Sequence, residues 1–367
     1  MEQHSTKTIA VLGTRGFPGV QGGLETHCQH LYPLMSQYRF RVYRRKPYLT
    51  GQSQTQYDNI DFIDWSSTRI RGFEAAYHTM RATLHCMLHR PDLVHVHNMG
   101  PALLALPIKL LGIPVVMTYH SVNYEHKKWG PLSRWLLRLS ERLSMRYSDR
   151  VIFVNRLRMS LFEDDYPDKC ICLPNGVEQV TPTQDTDFLE SLGIVPRHYV
   201  LAVGRITPEK GLEHLVTAAT QSSRVEKVVI VGQCDNGDRY LQQLKASDVK
   251  HKLVFTGYVN GDRLNQLYSH ARLLVLPSLS EGLPMVLLEA MAHRLPIVAS
   301  DLDATRLVQL PEECYCTPAD DHDLQRAIDR QLSWDFAPVD YDLTAYDWPT
   351  IARCTQQVYD SLFSSVR

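Results

Sequence analysis

The chain has 367 residues, 44% of them apolar and 22% charged, with a formal net charge of -1 at pH 7. That length exceeds what one hydrophobic core commonly serves, so two domains are expected, and the composition is that of a globular protein. The balanced charge supplies no global basic field, so nucleic acid is not an expected partner and any attraction to an anionic surface must come from a local patch.

The first residues, MEQHSTKTIAVLG, lack the charged start, apolar core and small-residue cleavage site of a secretory leader. The longest apolar stretch, residues 101–117, is interrupted by Pro107, Lys109 and Pro114, too short and broken to span a bilayer. The eight cysteines are too scattered for a disulfide scaffold, so buried thiols in a reducing cytoplasm are expected. Cys170/Cys172 and Cys314/Cys316 are C-x-C pairs whose sulfurs would share one strand face. No further His or Cys lies beside them at ligand spacing, so no metal site and no cofactor are expected.

Short apolar runs at residues 9–12, 93–97, 115–120, 151–154, 171–173, 200–203, 228–231, 253–256, 273–276 and 297–299 read as strands. Between them lie amphipathic segments such as 25–38, 212–221, 262–270 and 284–293. Continuous apolar strands alternating with helices imply parallel sheets covered on both faces. Residues 178–187, rich in Thr, Gln, Pro and Asp, read as a linker. The expected architecture is α/β: two Rossmann-like doubly wound domains, 1–178 and 188–345, facing across a cleft. A C-terminal helix in 346–367 would pack back on the first domain, with Ile351, Cys354, Val358 and Leu362 on one side. Ligands of open α/β sheets bind beyond the carboxyl ends of the strands, so chemistry is sought in the loops that follow them.

The first such loop runs from Gly13 to Glu25 and leads into a helix. Gly22 and Gly23 would let backbone N–H groups approach an anion at that helix start. Tyr119-His120-Ser121 ends a later strand, and Pro174-Asn175-Gly176-Val177 closes the first domain. In the second domain Gly204-Arg205 leaves a strand and Lys210-Gly211 follows before a helix. Two cations beside a helix start suit a diphosphate, with Arg binding as a fork. Thr256-Gly-Tyr-Val259 could cradle a base. The stretch from Pro277 to Ala290 places Glu281 and Gly282 in a loop, and Met285, Val286 and Glu289 on an apolar helix. N–H groups at that helix start could hold phosphate oxygens, and a carboxylate among apolar neighbours is satisfied by two ribose hydroxyls. Asp301-Leu-Asp303 has the D-x-D form of some divalent-ion sites but follows a strand, where Asp caps a loop cheaply; it is read as structural. Two segments offer local positive charge. Residues 131–150 carry Arg134, Arg138, Arg142 and Arg146 beside Leu132, Trp135, Leu136, Leu139 and Leu143, and residues 39–46 interleave cations with aromatics. Either could meet an anionic membrane, unless the leucines face the core.

Taken together these motifs resemble the GT-B glycosyltransferases of the large retaining family 4, over nearly the whole chain. The carriers are Gly22-Gly23, His120, Asn175-Gly176-Val177, Gly204-Arg205 through Lys210-Gly211, and Glu281-x7-Glu289. The resemblance implies that Arg205 and Lys210 bind a nucleotide diphosphate, Glu289 the ribose, Glu281 the donor-sugar hydroxyls, and that His120 faces the transferred sugar. The runs GTRGFPGVQGGLET and HVHNMGPALL…VVMTYHSVNYEHKKWG are similar to a bacterial rhamnosyltransferase-like subgroup of surface-polysaccharide synthesis. Leu307 departs from the pattern, since relatives often carry a carboxylate there. The expected activity is retaining, metal-independent transfer of a hexosyl group, rhamnosyl on the subgroup resemblance, from a nucleoside-diphosphate sugar to a glycan or lipid-linked acceptor. The expected place is the cytoplasm, at the inner face of the cell membrane. Two rival classes share the architecture: a sugar-nucleotide epimerase, which needs no acceptor, and a non-catalytic nucleotide-sugar-binding protein. A NAD-dependent dehydrogenase is disfavoured, because no G-x-G-x-x-G follows a strand with an acidic residue about twenty positions on.

Overall fold

The structure, a computed structural model, describes residues 6–49, 51–68, 73–104, 106–120, 131–234 and 239–364. Ser121 and the rest of the 121–130 motif lie outside the described residues, as do the side chains of Leu132 and Arg134. The chain forms two compact units, one of residues 1–175 with 347–367 and the other of residues 176–346.

The first unit holds β1 (Lys7–Leu12), β2 (Tyr38–Arg45), β3 (Ile60–Trp65), β4 (Leu93–His97), β5 (Val115–Tyr119), β6 (Arg150–Phe153) and β7 (Cys170–Cys172). They pair in parallel in the order β3-β2-β1-β4-β5-β6-β7. The second unit holds β8 (Tyr199–Val203), β9 (Lys227–Val231), β10 (Leu253–Gly257), β11 (Leu273–Leu276), β12 (Ile297–Ser300) and β13 (Tyr315–Cys316). Their parallel order is β10-β9-β8-β11-β12-β13. In both sheets the strand order reverses beside the first strand, β1 or β8, which is where a doubly wound sheet opens a crevice at its carboxyl edge. The last four residues of β1 and all of β11 are buried on both faces, which is why they read as unbroken apolar runs; β4 is equally buried but alternates Val with His95 and His97.

Two strands, β2 and β3, escaped the reading of the sequence, and β13 was read only as the strand-like run of Cys314 and Cys316, of which the structure keeps Cys316 in the strand. β2 reads YRFRVYRR, and its arginines resemble a solvated patch. Two of them instead face carboxylates of β3. Arg39 binds Asp61, and Arg44, buried, holds Asp64 with Nε and Nη2 at 2.7 and 2.8 Å. Arg45, also buried, lies 3.7 Å from Glu74, so the 39–46 segment is largely interior, with Arg39 and Lys46 exposed. β3 was hidden by its two aspartates. Of the C-x-C pairs, Cys170 and Cys172 pack half-buried against the first core, while Cys314 and Cys316 are buried in the second unit.

The helix Pro131–Tyr147 also buries residues that the sequence did not point to. Its described buried face mixes polar residues with Met145 of the core: Ser140 and Ser144 donate to Met99 O at 2.6 and 3.2 Å, and Glu141 accepts from Tyr119 Oη. Trp135 (61% exposed) and Leu136 (50%) lie outside with Arg138, Arg142 and Arg146, and Leu139 and Leu143 are half-buried. The terminal helix Trp348–Ser364 belongs to the first unit, where it buries Trp348, Ile351, Val358, Tyr359 and Leu362; Cys354 is half-buried. Among the described residues no helix is long and apolar enough to cross a membrane.

Candidate functional site

In the second unit the loops after β8 and β11 are bound to each other. Gly204 N donates to Val231 O and Ile206 N to Gln233 O, each at 2.9 Å, fixing the loop to the end of β9. A short turn, Pro208–Lys210, then ends at Gly211 with φ 59°. A Cβ there would stand 2.2 Å from Pro277 O, so only glycine lets the two loops meet so closely. Leu279 N adds a bond to Glu209 O at 2.9 Å.

That junction brings Lys210 and Glu281 together. Lys210 Nζ lies 2.6 Å from Glu281 Oε1, and Ser278 Oγ donates to the same oxygen at 2.6 Å. The two charged side chains are only 17% and 9% exposed, so removing either partner would leave a poorly solvated charge at a cost of about 3–5 kcal/mol. Arg205 stands beside them, its Nη2 3.6 Å from Glu209 Oε1, longer than a hydrogen bond. About 250 Å³ of open space borders Gly204, Arg205, Lys210, Pro277 and Ser278.

Glu289 sits in the second turn of the helix Met285–Ala292. Tyr268 Oη donates to its Oε2 at 2.6 Å, and the Tyr268 ring stacks on His293 at 4.8 Å. Burial, and then the Glu289 carboxylate, push the Tyr268 phenol well above its ordinary value, so it remains a donor. Tyr258, in the loop after β10, also feels the Glu289 charge, after burial, and is likewise raised. Its neighbour Val259 is buried, as is Met285; Gly282 and Val286 are half-buried. Tyr268 was missed in the sequence because nothing in a single tyrosine on an amphipathic helix names a carboxylate partner. Asp301 is taken up by Arg306, whose Nε and Nη2 bind its two oxygens at 2.6 and 2.9 Å, holding that carboxyl below its usual range.

In the first unit the glycine loop meets a carboxylate of its own. Glu25, buried in the first turn of the helix Gly23–Leu31, accepts from Arg15 N at 3.0 Å. Gly22 has φ 149°, and a Cβ on it would meet Glu25 Oε2 at 2.2 Å. The glycines therefore admit Glu25 against the loop.

Beneath this loop lies a histidine cluster. His95 and His97, two residues apart on β4, point to one face, and both are fully buried. His97 Nδ1 lies 2.9 Å from His120 Nε2, and His97 Nε2 lies 2.6 Å from Tyr32 Oη. His95 contacts Tyr359 Oη at 2.6 Å and Thr118 Oγ1 at 2.7 Å. His27 Nδ1 donates to Asn175 Oδ1 at 3.0 Å, so the structure places Asn175 on a histidine. Burial lowers His27 to about 4 and His95 to about 3, and holds His97 and His120 well below their ordinary value. All four rings are neutral near pH 7. The sequence pointed to His120 alone; the alternating H-V-H of β4 was the available signal for its neighbours.

Residues 21–179 match the family described as Glycosyltransferase Family 4, and residues 197–333 the family described as Glycosyl transferases group 1. The chain is 27% identical to an uncharacterized glycosyltransferase of Methanocaldococcus jannaschii, over 93% of this chain and 95% of that protein. The chain is a glycosyltransferase with two Rossmann-like, parallel-sheet units of the GT-B fold. The fold of this glycosyltransferase is similar to that of sucrose-phosphate synthase from Thermosynechococcus elongatus, with a TM-score of 0.82 at 20% identity, covering 98% of this chain and 100% of that one. It is also similar to Anabaena HepE, solved in complex with UDP-glucose, with a TM-score of 0.79 at 17% identity over 96% and 99% of the two chains.

Proposed function

We propose that the second unit binds a nucleoside-diphosphate sugar and that the enzyme transfers the sugar with retention, without a metal ion, to a hydroxyl of a glycan or lipid-linked acceptor. The observation that carries this reading is the meeting of Arg205, Lys210 and Glu281 at the carboxyl ends of β8 and β11. Arg205 and Lys210 stabilise the charge that grows on the departing diphosphate as the glycosidic bond breaks. Glu281 spends Oε1 on Lys210 and Ser278, and its Oε2 accepts from a hydroxyl of the donor sugar. Glu289, oriented by Tyr268, takes the ribose, and the loop ending in Val259 lies against the base. The first N–H groups of the helix beginning at Met285, with Gly282 before it, serve phosphate oxygens. The pairing of Asp301 with Arg306 removes the D-x-D carboxylate that a divalent ion would need.

Transfer proceeds at one face of the sugar. The bond from the anomeric carbon to the diphosphate oxygen breaks, the acceptor oxygen bonds to that carbon, and the acceptor proton passes to the diphosphate oxygen. His120, neutral at physiological pH, serves the transferred sugar as a hydrogen-bonding group rather than as a cation. The first unit takes the acceptor, with Gly22 and Gly23 lining its loop. Its exposed Trp135 beside Arg138, Arg142 and Arg146 suits an anionic membrane carrying a lipid-linked acceptor, at the cytoplasmic face. A rhamnosyl donor is the first choice, on the subgroup resemblance.

Arg205→Ala tests this. The substitution should lower kcat/KM for transfer by the equivalent of about 2–4 kcal/mol, the scale of losing a principal electrostatic donor. Turnover near that of the parent enzyme would remove Arg205 from the mechanism.

A further inference from the structure

His27, His97 and His120 each present a ring nitrogen, and these atoms lie within 4.8 Å of one another. We propose that these three histidines, all of the first unit, bind a first-row transition cation of the zinc class.

The hydrogen bonds around the cluster permit a set of tautomers in which the three ligand atoms are unprotonated. Asn175 Oδ1 can only accept, so the His27 proton is on Nδ1 and its Nε2 carries a lone pair. That Nε2 is buried and has no partner, a costly state for a polar atom in a packed interior. Tyr359 Oη can donate to His95 Nδ1 at 2.6 Å. Tyr32 Oη lies 2.6 Å from His97 Nε2, and in the tautomer where it accepts from that nitrogen the lone pair of His97 is on Nδ1, facing His120 Nε2 at 2.9 Å. An ion between the rings replaces the proton shared by His97 and His120, and that proton moves to His120 Nδ1. No oxidant or further reactant is needed.

The dimensions and the surroundings also fit. Zn–N bonds of about 2.0–2.1 Å set ligand nitrogens about 3.4 Å apart in a tetrahedron, between the 2.9 Å and 4.8 Å found here. Metal-bound histidines hold their second nitrogen in an outer hydrogen bond, as Asn175 does for His27 and Tyr32 for His97. Three imidazoles select zinc, cobalt, nickel or copper over magnesium or calcium, which prefer oxygen. His120 is the least buried of the three. A bound cation would withdraw His120 from the transferred sugar; that consequence rests on the proposed reaction, whereas binding does not.

The test uses the whole chain, freed of metal with a chelator and titrated with Co2+. One ion per chain should bind, with the intense visible absorption of four- or five-coordinate Co2+, and Zn2+ should displace it while Mg2+ does not. His27→Gln should weaken binding by at least about tenfold, given that loss of outer-shell partners alone costs 10–100-fold. His85 and His89, stacked at 3.8 Å on another helix, supply the control: the double variant His85→Gln/His89→Gln should bind as the parent does. X-ray absorption of the zinc-loaded parent protein, which requires no variant to fold, should show three imidazoles. A weak octahedral Co2+ spectrum, fewer than three imidazoles, or binding lost in the His85/His89 variant but kept in His27→Gln would overturn the site.

Discussion

The buried neutral histidines make the first unit acid-labile, and His27 allows a quantitative test. Its folded value is about 4, lowered first by burial from an ordinary 6.5. Between those two values the unfolded chain takes up a proton that the folded chain refuses. The contribution to stability is therefore intact above pH 6.5 and lost as pH falls toward 4. For one such group the slope approaches 1.36 kcal/mol per pH unit, and the loss at pH 5 is about 2 kcal/mol. His95 at about 3, His78 at about 4, and His97 and His120, both held well below their ordinary value by burial, act in the same direction, so the parent slope should approach five protons' worth at pH 5 to 6. His27→Gln will shift stability at every pH, but it should also lower the slope by about 1.4 kcal/mol per pH unit. Amide hydrogen exchange in β4 and β5, followed from pH 7 to pH 5 with a chelator present, reads the first unit without assuming that both units unfold together. Parallel slopes for parent and variant would show that His27 is protonated, or solvated, in the folded protein.

Gly211→Ala places a Cβ 2.2 Å from Pro277 O at φ 59°, so strain of about 1–3 kcal/mol or more should lower the melting temperature of the second unit and weaken nucleotide binding. An unchanged melt by calorimetry would mean that the two loops do not meet there. Flotation with anionic vesicles should recover the enzyme at low salt and lose it at high salt, and Trp135→Ala should float poorly. Absence of the parent protein from the vesicle fraction at low salt would rule out the exposed face of the 131–147 helix as a membrane contact.

How much was legible depended on whether a residue's partner was near in sequence. Apolar parallel strands declare themselves, as 9–12 and 273–276 do, because both faces are buried and every position is constrained. β2 did not, since Arg39 and Arg44 are paired with Asp61 and Asp64 on another strand, and nothing in the run itself shows that pairing. The same holds in the sites. Gly204-Arg205, Lys210-Gly211 and Glu281 stand in loops after strands, so position alone drew attention to them. Nothing along the chain joins Lys210 to Glu281, Tyr268 to Glu289, or Asn175 to His27, because these are contacts between elements far apart in sequence. In the 131–147 helix the sequence left open whether the leucines face the core, and it could not show that Ser140 and Ser144, bound to Met99 O, are buried there beside Met145.

The most direct test of the donor site is a thermal-shift panel of dTDP, UDP, GDP, ADP and NAD, run without metal and again with magnesium. A nucleotide at about 100 times its dissociation constant adds about 2.7 kcal/mol, enough to raise the melting temperature of the unit that binds it by several degrees. One nucleoside diphosphate should give that shift, unchanged by magnesium and lost in Glu289→Ala. A shift with NAD alone, or none with any diphosphate, would contradict donor binding at Arg205, Lys210 and Glu289.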